Sequence, residues 1–534
     1  MGQGMKYPIG IQEFDKIING GYVYVDKTAL VYRLVTEGSI YFLSRPRRFG
    51  KSLLVSTLDA YFKGKKELFK GLAIDGLEKE WAEYPVFHLS FGGENFIEPG
   101  ALEDKIESAL GAWENLYGKA PFSRTIGGRF RYVLKAAHEK YGRRSVVLID
   151  EYDKPLLDVL DTPYSIQVDG ERRLLEEHHR NILKGFYSVF KEADADLQFV
   201  LLTGVTKFSQ VSVFSGFNQP SDISMDEQYE TLCGITEDEL YHYFAEPIEK
   251  LAVKYKCSTE EMKDRLKRQY DGYHFSENLT DIYNPFSILN VFAKQRVDDF
   301  WFKTGTPTYL IRLLNHTQEN LNELTGKYYA PSQFFDYKAD VEKPLPMIFQ
   351  SGYLTIKDCD LDMNTYLLDF PNNEVKNGFV TMVAADYLKN RTDAGSWARD
   401  VVKALRVADL DLFYKLLTSF LADIPYSMRR KETERERERE RYFHYTFYLL
   451  MRMVSCYTTY TEKQQSEGRV DCIIETSDYV YIFEFKLDGT ADEALKQIED
   501  KGYARPYLVD KRKLYRIGVS FSSETGTVDD WKVI

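Results

Sequence analysis

Four short apolar runs place the strongest constraint on this chain: Ile40-Tyr41-Phe42-Leu43, Pro85-Val86-Phe87-His88-Leu89, Val146-Val147-Leu148-Ile149 and Phe199-Val200-Leu201-Leu202. Each is close to continuously apolar, and stretches of helical period lie between them. A strand apolar at every position has no face for solvent. The runs therefore predict a parallel sheet covered on both sides, an α/β domain over residues 1–235. At 534 residues the chain exceeds what one core supports, so two to four domains are expected.

Beyond that domain the pattern changes. Acidic helix starts such as Thr236-Glu237-Asp238-Glu239 predict a helical lid over 236–300. Residues 301–430 mix helical periodicity with strand-like pieces at Tyr353-Leu354-Thr355-Ile356 and Thr365-Tyr366-Leu367-Leu368, and no motif there assigns chemistry. Glu434 to Arg441 alternates Glu and Arg. In a helix this sets opposite charges at i,i+3 and like charges at i,i+4, so pair energies of roughly 0.2–0.5 kcal/mol largely cancel. The run reads as a solvated helix start or linker, with arginines on a phosphate backbone as the sharper alternative. An aromatic helix over Tyr442 to Tyr457, strands Val470 to Ile474 and Tyr479 to Phe485, and a helix from about Ala491 to Gly502 predict a compact last domain over 431–534.

Composition narrows the function classes. The formal net charge of −12 excludes a protein coated in basic surface, so any nucleic acid must be met by local clusters. The 5 cysteines are scattered, with no C-x-x-C pair, which argues against a disulfide framework or zinc site and points to reducing cytoplasm. The start MGQGMKYPIG has no apolar segment, and no window approaches 18 uninterrupted apolar residues, so no membrane association is expected.

After the Ile40–Leu43 run comes Ser44-Arg45-Pro46-Arg47-Arg48-Phe49-Gly50-Lys51-Ser52, then an amphipathic helix through Phe62. Strand, loop and helix stand in the order a phosphate-binding loop needs, where backbone N–H groups cradle phosphates, lysine reaches them and Ser/Thr meets Mg²⁺. Gly50, Lys51 and Ser52 fit. Arg45 stands where the pattern has its first glycine, so the loop enters without the usual backbone freedom. Arg47 and Arg48 either stabilise developing charge or pair with carboxylates. The second half of such a site is a carboxylate at the end of a buried strand. Ser145 to Ile149 followed by Asp150-Glu151 supplies it, with Asp150 for Mg²⁺ and Glu151 for the attacking water. Thr203 or Thr206, after the last apolar run, is placed to sense the γ-phosphate.

These stretches resemble the AAA-ATPase-like family: Tyr24-Val25-Asp26-Lys27-Thr28, Phe42 to Ser52, Asp150-Glu151-Tyr152-Asp153-Lys154-Pro155, Leu202 to Ser209, Tyr270-Asp271-Gly272-Tyr273-His274-Phe275 and Tyr283-Asn284-Pro285-Phe286-Ser287. The resemblance spans roughly residues 6 to 300. It implies an ATP-binding P-loop fold, one in which arginine at the position of Arg45 is usual and which is frequently fused to a nuclease domain.

Near the C-terminus, Gly468-Arg469-Val470-Asp471 opens one predicted strand and Tyr481-Ile482-Phe483-Glu484-Phe485-Lys486 closes the next. The period of two puts Glu484 and Lys486 on one face, a costly arrangement in an apolar strand unless pairing or function retains it. Acids on adjacent strands of a hairpin with a lysine suit metal-dependent phosphodiester cleavage. The arrangement is similar to the PD-(D/E)XK nuclease superfamily over about 440 to 520. That similarity implies Asp471 and Glu484 as metal ligands, Lys486 as catalytic lysine, and Gln497 as the helix residue that orients a metal-bound water. It further implies a glutamate on the first helix, where Glu438 and Glu440 both qualify; His444 reads as a core histidine.

The expectation is an ATP-regulated, Mg²⁺-dependent nuclease acting on DNA, with Mn²⁺ acceptable at the nuclease site, RNA an open alternative substrate, and self-association into a homo-oligomer allowed. Two rivals stand beside it: a nucleotide-controlled nucleic-acid-binding switch with little or no cleavage, and an ATPase that drives assembly while the nuclease fold is idle.

Overall fold

The computed structural model describes residues 5–168, 170–207, 220–301, 324–335, 344–379, 394–422, 459–461, 464–465, 468–469, 471–522 and 524–534. The chain divides into two compact units, Met1–Val375 and Lys376–Ile534.

The first unit is built on a sheet with the spatial order Val86–Ser90, Ser145–Asp150, Leu197–Gly204, Ile40–Ser44, Ser221–Asp222, and every pairing is parallel. All residues of Ser145–Asp150 are buried, which requires cover on both faces because neighbouring side chains point to opposite sides. The four apolar runs are four of the strands. The edge strand Ser221–Asp222 has an exposed residue and carries no apolar signal. In space the Leu197–Gly204 strand separates Ile40–Ser44 from Ser145–Asp150, so the phosphate-loop strand and the acidic strand flank Thr203.

Three helices, Glu237–Tyr255, Thr259–Tyr270 and Pro285–Lys294, follow the sheet. The first begins where its acidic start predicts. The Thr236 hydroxyl accepts from the Glu239 N–H at 3.3 Å, and Glu239 accepts from the Thr236 N–H at 2.8 Å, a reciprocal cap worth about 1 kcal/mol. Glu239 also holds the N-terminal segment, since both its oxygens lie 2.6 Å from the Lys27 ammonium. Leu240, Phe244, Ile248, Leu266, Ile288 and Phe292 form the core among these helices. The strand-like pieces further on appear as an antiparallel pair, Thr355–Asp360 and Thr365–Asp369, with Lys327–Tyr329 added at its edge. Tyr353 and Leu354 precede the first of these strands and are buried.

The Tyr270-to-Phe275 motif knits this region. Tyr270 Oη donates to the Asp298 carbonyl at 2.7 Å, and His274 bridges the Ile356 carbonyl and Asp281. Asp271 is 1% exposed, with the Lys267 ammonium 4.0 Å away. Burial first, and then the charge of Asp281, push its carboxyl up to about 7. A raised carboxyl favours the folded state fully only below its unfolded value near 4 and loses that contribution as pH rises through 7. Asp271→Asn is therefore expected to stabilise the protein little near pH 4 and most above pH 7, by a gain on the order of a few kcal/mol. Denaturant unfolding of both proteins across pH 4.5–8 checks this; a gain that does not change with pH contradicts it.

The second unit has a mixed sheet in the order Thr459–Thr461, Cys472–Glu475, Tyr479–Leu487, Lys513–Phe521, Val528–Val533. Tyr479–Leu487 pairs antiparallel with Cys472–Glu475 and parallel with Lys513–Phe521. The parallel pairing needs a crossover, which the helix Ala491–Asp500 provides. Val480 and Ile482 pack with Leu495 and Ile498 of that helix. The intervening Tyr481 and Phe483 meet the helices Ala394–Arg406 and Leu410–Ala422: Tyr481 Oη donates to the Leu405 carbonyl at 2.6 Å, and Phe413 lies 5.7 Å from Phe483. One predicted detail is corrected. Gly468–Arg469 pairs with Gln464–Gln465 in a separate ribbon, so Asp471 sits in a bend just before the strand Cys472–Glu475. The charge run Glu434 to Arg441, with Glu438, Glu440 and His444, lies outside the described residues. Among the described residues no helix is long and apolar enough to cross a membrane.

Candidate active sites

In the first unit, the loop between Ser44 and Lys51 turns at two left-handed residues, Arg48 with φ 66° and Gly50 with φ 97°. Arg45 is not among the residues with positive φ. The missing first glycine is therefore no backbone handicap, because the turn is made later in the loop. Arg45 is instead a buried pin, 1% exposed. Its guanidinium donates to the carbonyls of Ser44 at 2.9 Å and Ser224 at 2.7 Å and lies 4.1 Å from the Phe275 ring centre. Desolvation draws its pKa down to about 10. A buried cation is tolerated when hydrogen bonds satisfy it, and here carbonyls serve the two terminal nitrogens and an aromatic face the plane, while Nε has no hydrogen-bond partner among the described residues.

Gly50 caps the helix Lys51–Phe62, whose N-terminus brings Lys51 and the half-buried Ser52 to the end of the sheet. Lys51 is buried, and its ammonium donates to the carbonyls of Arg45 at 2.8 Å and Pro46 at 3.0 Å. Desolvation lowers its pKa, opposed by the charges of Asp150, Asp153 and Glu151. The acidic strand end thus faces the lysine of the loop.

Asp150 is buried and accepts from the Thr203 hydroxyl at 2.6 Å. Thr206 is likewise engaged: its N–H and hydroxyl reach Asp153 at 2.6 and 2.8 Å. Both threonines are tied to carboxylates of the acidic segment. Glu151 has a left-handed backbone, φ 55°, a conformation costing about 1–2 kcal/mol for a residue with a side chain. Its carboxyl is pushed up by burial and by Asp150, against the lowering effect of Lys51 and Arg47. The two exposed arginines part ways: the charge of Arg47 acts on Glu151, whereas Arg48 stacks 4.0 Å from the ring centre of Phe286. A hydroxyl at a helix start, a buried carboxylate and a lysine between them are a donor set that fits a nucleotide's phosphates with Mg²⁺.

A cavity of about 100 Å³ opens beside Gly50, walled by Val23, Val25, Leu53, Ile235, Phe244 and Leu289. Sequence reasoning missed it because its walls come from four separated stretches. The Tyr24-to-Thr28 motif was the available signal, since the Lys27–Glu239 pair closes one side.

In the second unit, Glu484 lies in the middle strand of the sheet, 1% exposed, on the face covered by the helix Ala491–Asp500. The period of two brings Lys486 to the same face, with its ammonium 4.0 Å from Glu484. Gln497 joins them: its carbonyl oxygen accepts from Lys486 Nζ at 2.5 Å and its amide donates to Glu484 Oε1. Asp471 Oδ2 accepts the Phe485 N–H at 2.9 Å, which folds the bend back toward Glu484. Burial, and then the charge of Asp471, push the Glu484 carboxyl well above its ordinary range.

Glu484 Oε2 is buried without a hydrogen-bond partner among the described residues. A buried, unsatisfied carboxylate oxygen beside a second acid is costly in a protein interior and fits a divalent cation. Among the described residues no group of three or more His, Cys, Asp or Glu side chains converges; Asp471 and Glu484 are the acids there that would hold the cation. Tyr503, 1% exposed, hydrogen-bonds to Gln497 and feels the charge of Glu484. It was not singled out from the sequence because it follows the helix at a spacing that no periodicity relates to Gln497.

Comparisons with known proteins give a family match in each of the two units. Residues 8–214 match the family described as predicted AAA-ATPase, and residues 438–531 match the PD-(D/E)XK nuclease superfamily. An uncharacterized protein in the vnfD 5′ region of Azotobacter chroococcum mcd 1 is 35% identical over 529 residues, covering 98% of each chain. The chain therefore belongs to the AAA-ATPase-like family and carries a C-terminal PD-(D/E)XK nuclease superfamily domain.

Proposed function

We propose that this protein is an ATP-regulated, metal-dependent DNA nuclease of the reducing cytoplasm. The observation that carries the reading is the hydrogen-bonded chain from Lys486 through Gln497 to Glu484, with Asp471 alongside and one Glu484 oxygen unsatisfied. Asp471 and Glu484 would hold the cation. When bound, a divalent ion polarises a phosphoryl oxygen and lowers the pKa of water. Gln497 keeps the Lys486 ammonium in place beside that position, and Tyr503 holds Gln497.

In the first unit, Gly50, Lys51 and Ser52 would take the phosphates of ATP, with Arg47 and Arg48 adding positive charge at the loop. Ser52 and Asp150 would hold Mg²⁺, Thr203 would fix the rotamer of Asp150, and Glu151 would orient the attacking water. The cavity beside Gly50 would receive the base. Its apolar walls suit a flat aromatic ring, and its opening next to the phosphate loop supplies the continuity that a nucleotide needs.

The deciding experiment is cleavage of linear, circular and single-stranded DNA, and of RNA, with Mg²⁺ or Mn²⁺, with and without ATP. Cleavage of DNA that responds to ATP is expected. No cleavage of any substrate by wild-type protein, with nucleic acid still bound, would move the reading to a nucleotide-controlled binding switch.

A further inference from the structure

A grip on the phosphate loop comes from far along the chain. The Trp301 indole N–H donates to the Arg47 carbonyl at 3.0 Å, across 254 residues of sequence. The ring is 6% exposed and packs on Tyr353 at 5.2 Å. The backbone of Trp301 is held by Glu374, whose Oε1 accepts the N–H groups of Phe300 and of Trp301, the latter at 2.7 Å. Glu374 Oε2 accepts from the Ser287 hydroxyl at 2.7 Å, and the carboxylate is 1% exposed. From the same stretch, Phe286 supports the Arg48 guanidinium at 4.0 Å. On the next turn of packing Gly352, at φ +87°, comes so near Pro46 that a Cβ there would stand 2.6 Å from the proline ring. The loop is thus held from outside at Pro46, Arg47 and Arg48.

The position of these contacts matters because the two parts of the loop do different work. Gly50, Lys51 and Ser52 belong to the helix N-terminus, which needs no outside support to present its N–H groups. Arg47 is exposed at the turn of the loop, and its charge, after that of Lys51, acts on Glu151. Its carbonyl is where Trp301 acts, so the indole sets the direction in which Arg47 leaves the loop.

We propose that Trp301, anchored by Glu374, is a positioning residue for ATP hydrolysis that sets the direction in which Arg47 leaves the phosphate loop. The inference rests on the ATPase reading above. Its test is steady-state ATP hydrolysis and ADP binding by full-length wild type, Trp301→Phe, Arg47→Ala and the double variant, with melting temperatures as the folding control. Phenylalanine keeps an aromatic ring against Tyr353 and removes the indole N–H. Trp301→Phe is expected to lower kcat about tenfold, equal to about 1.4 kcal/mol, with the Kd for ADP unchanged. In the Arg47→Ala background it is expected to change nothing further, because the residue it positions is gone. An unchanged kcat, a tenfold loss that persists in the double variant, or a loss confined to ADP affinity each overturns the proposal. Wild-type protein that binds ADP and hydrolyses no ATP removes the hydrolase reading and this inference with it, whereas normal wild-type turnover with an inert Trp301→Phe removes only the inference.

Discussion

Glu484→Gln is expected to abolish phosphodiester cleavage, with a loss of about 10³-fold or more, while ATP hydrolysis stays at the wild-type rate. The size follows from the role: a ligand carboxylate removed from a two-acid metal site forfeits several kcal/mol of charge stabilisation, and each ~1.4 kcal/mol is tenfold in rate. The substitution is nearly isosteric, so the fold is kept. It also removes a buried acid that stands beside Asp471 with one oxygen unsatisfied, so without metal the variant should melt no lower than wild type. Added Mn²⁺ should raise the melting temperature of wild type and leave that of Glu484→Gln where it was, since only a folded state that binds the ion gains from it. Wild-type cleavage that survives the substitution places the chemistry elsewhere. A variant that loses cleavage and also melts far lower makes Glu484 a structural residue.

Lys51→Met is expected to reduce ATP hydrolysis by about 10²–10³-fold, the range for removing one preorganised, charge-bearing group from a reaction centre. Methionine keeps much of the buried stem of Lys51, which a smaller residue would replace with a cavity. The ammonium lies between the carbonyls of Arg45 and Pro46 and the acids Asp150, Glu151 and Asp153. Its removal leaves those acids without their central cation, so some loss of stability should accompany the loss of rate. Bound ATP or ADP should protect wild type against thermal unfolding and protect the variant much less. In DNA cleavage, Lys51→Met should behave like wild type without ATP. Cleavage by Lys51→Met that still responds to ATP contradicts the coupling of the two units, while ATP hydrolysis at the wild-type rate contradicts the assignment of the phosphate site.

What the amino-acid order alone determined was everything carried by neighbours in the chain. The runs from Ile40, Val86, Val146 and Phe199 are read as buried strands because their period is local, and the helix starting at Thr236 because its cap is built within four residues. Gly50-Lys51-Ser52 is legible for the same reason: strand, turn and helix N-terminus follow one another directly. So is the shared face of Glu484 and Lys486, which depends only on the alternation of a strand. Gln497 was legible through the resemblance to a nuclease family and through its helix, not through any contact that its position in sequence reveals.

Only the tertiary structure decided which of these local pieces meet. Strand order is a property of the sheet, and it sets Leu197–Gly204 between the phosphate-loop strand and the acidic strand; from that follow the Thr203–Asp150 bond and the Thr206–Asp153 bonds. Arg45 looked like a defect in a glycine pattern, and its meaning as a buried pin depends on carbonyls near residues 224–229 and on Phe275. The bend at Asp471 took that residue off the strand its apolar neighbours predicted, and there its Oδ2 accepts the Phe485 N–H from the adjacent strand. The cavity beside Gly50, Tyr503 under Gln497 and Trp301 on Arg47 have no local periodicity at all. Each is a contact between distant segments, and such contacts arise from the burial of whole faces, which a pattern of neighbouring residues specifies only in sum.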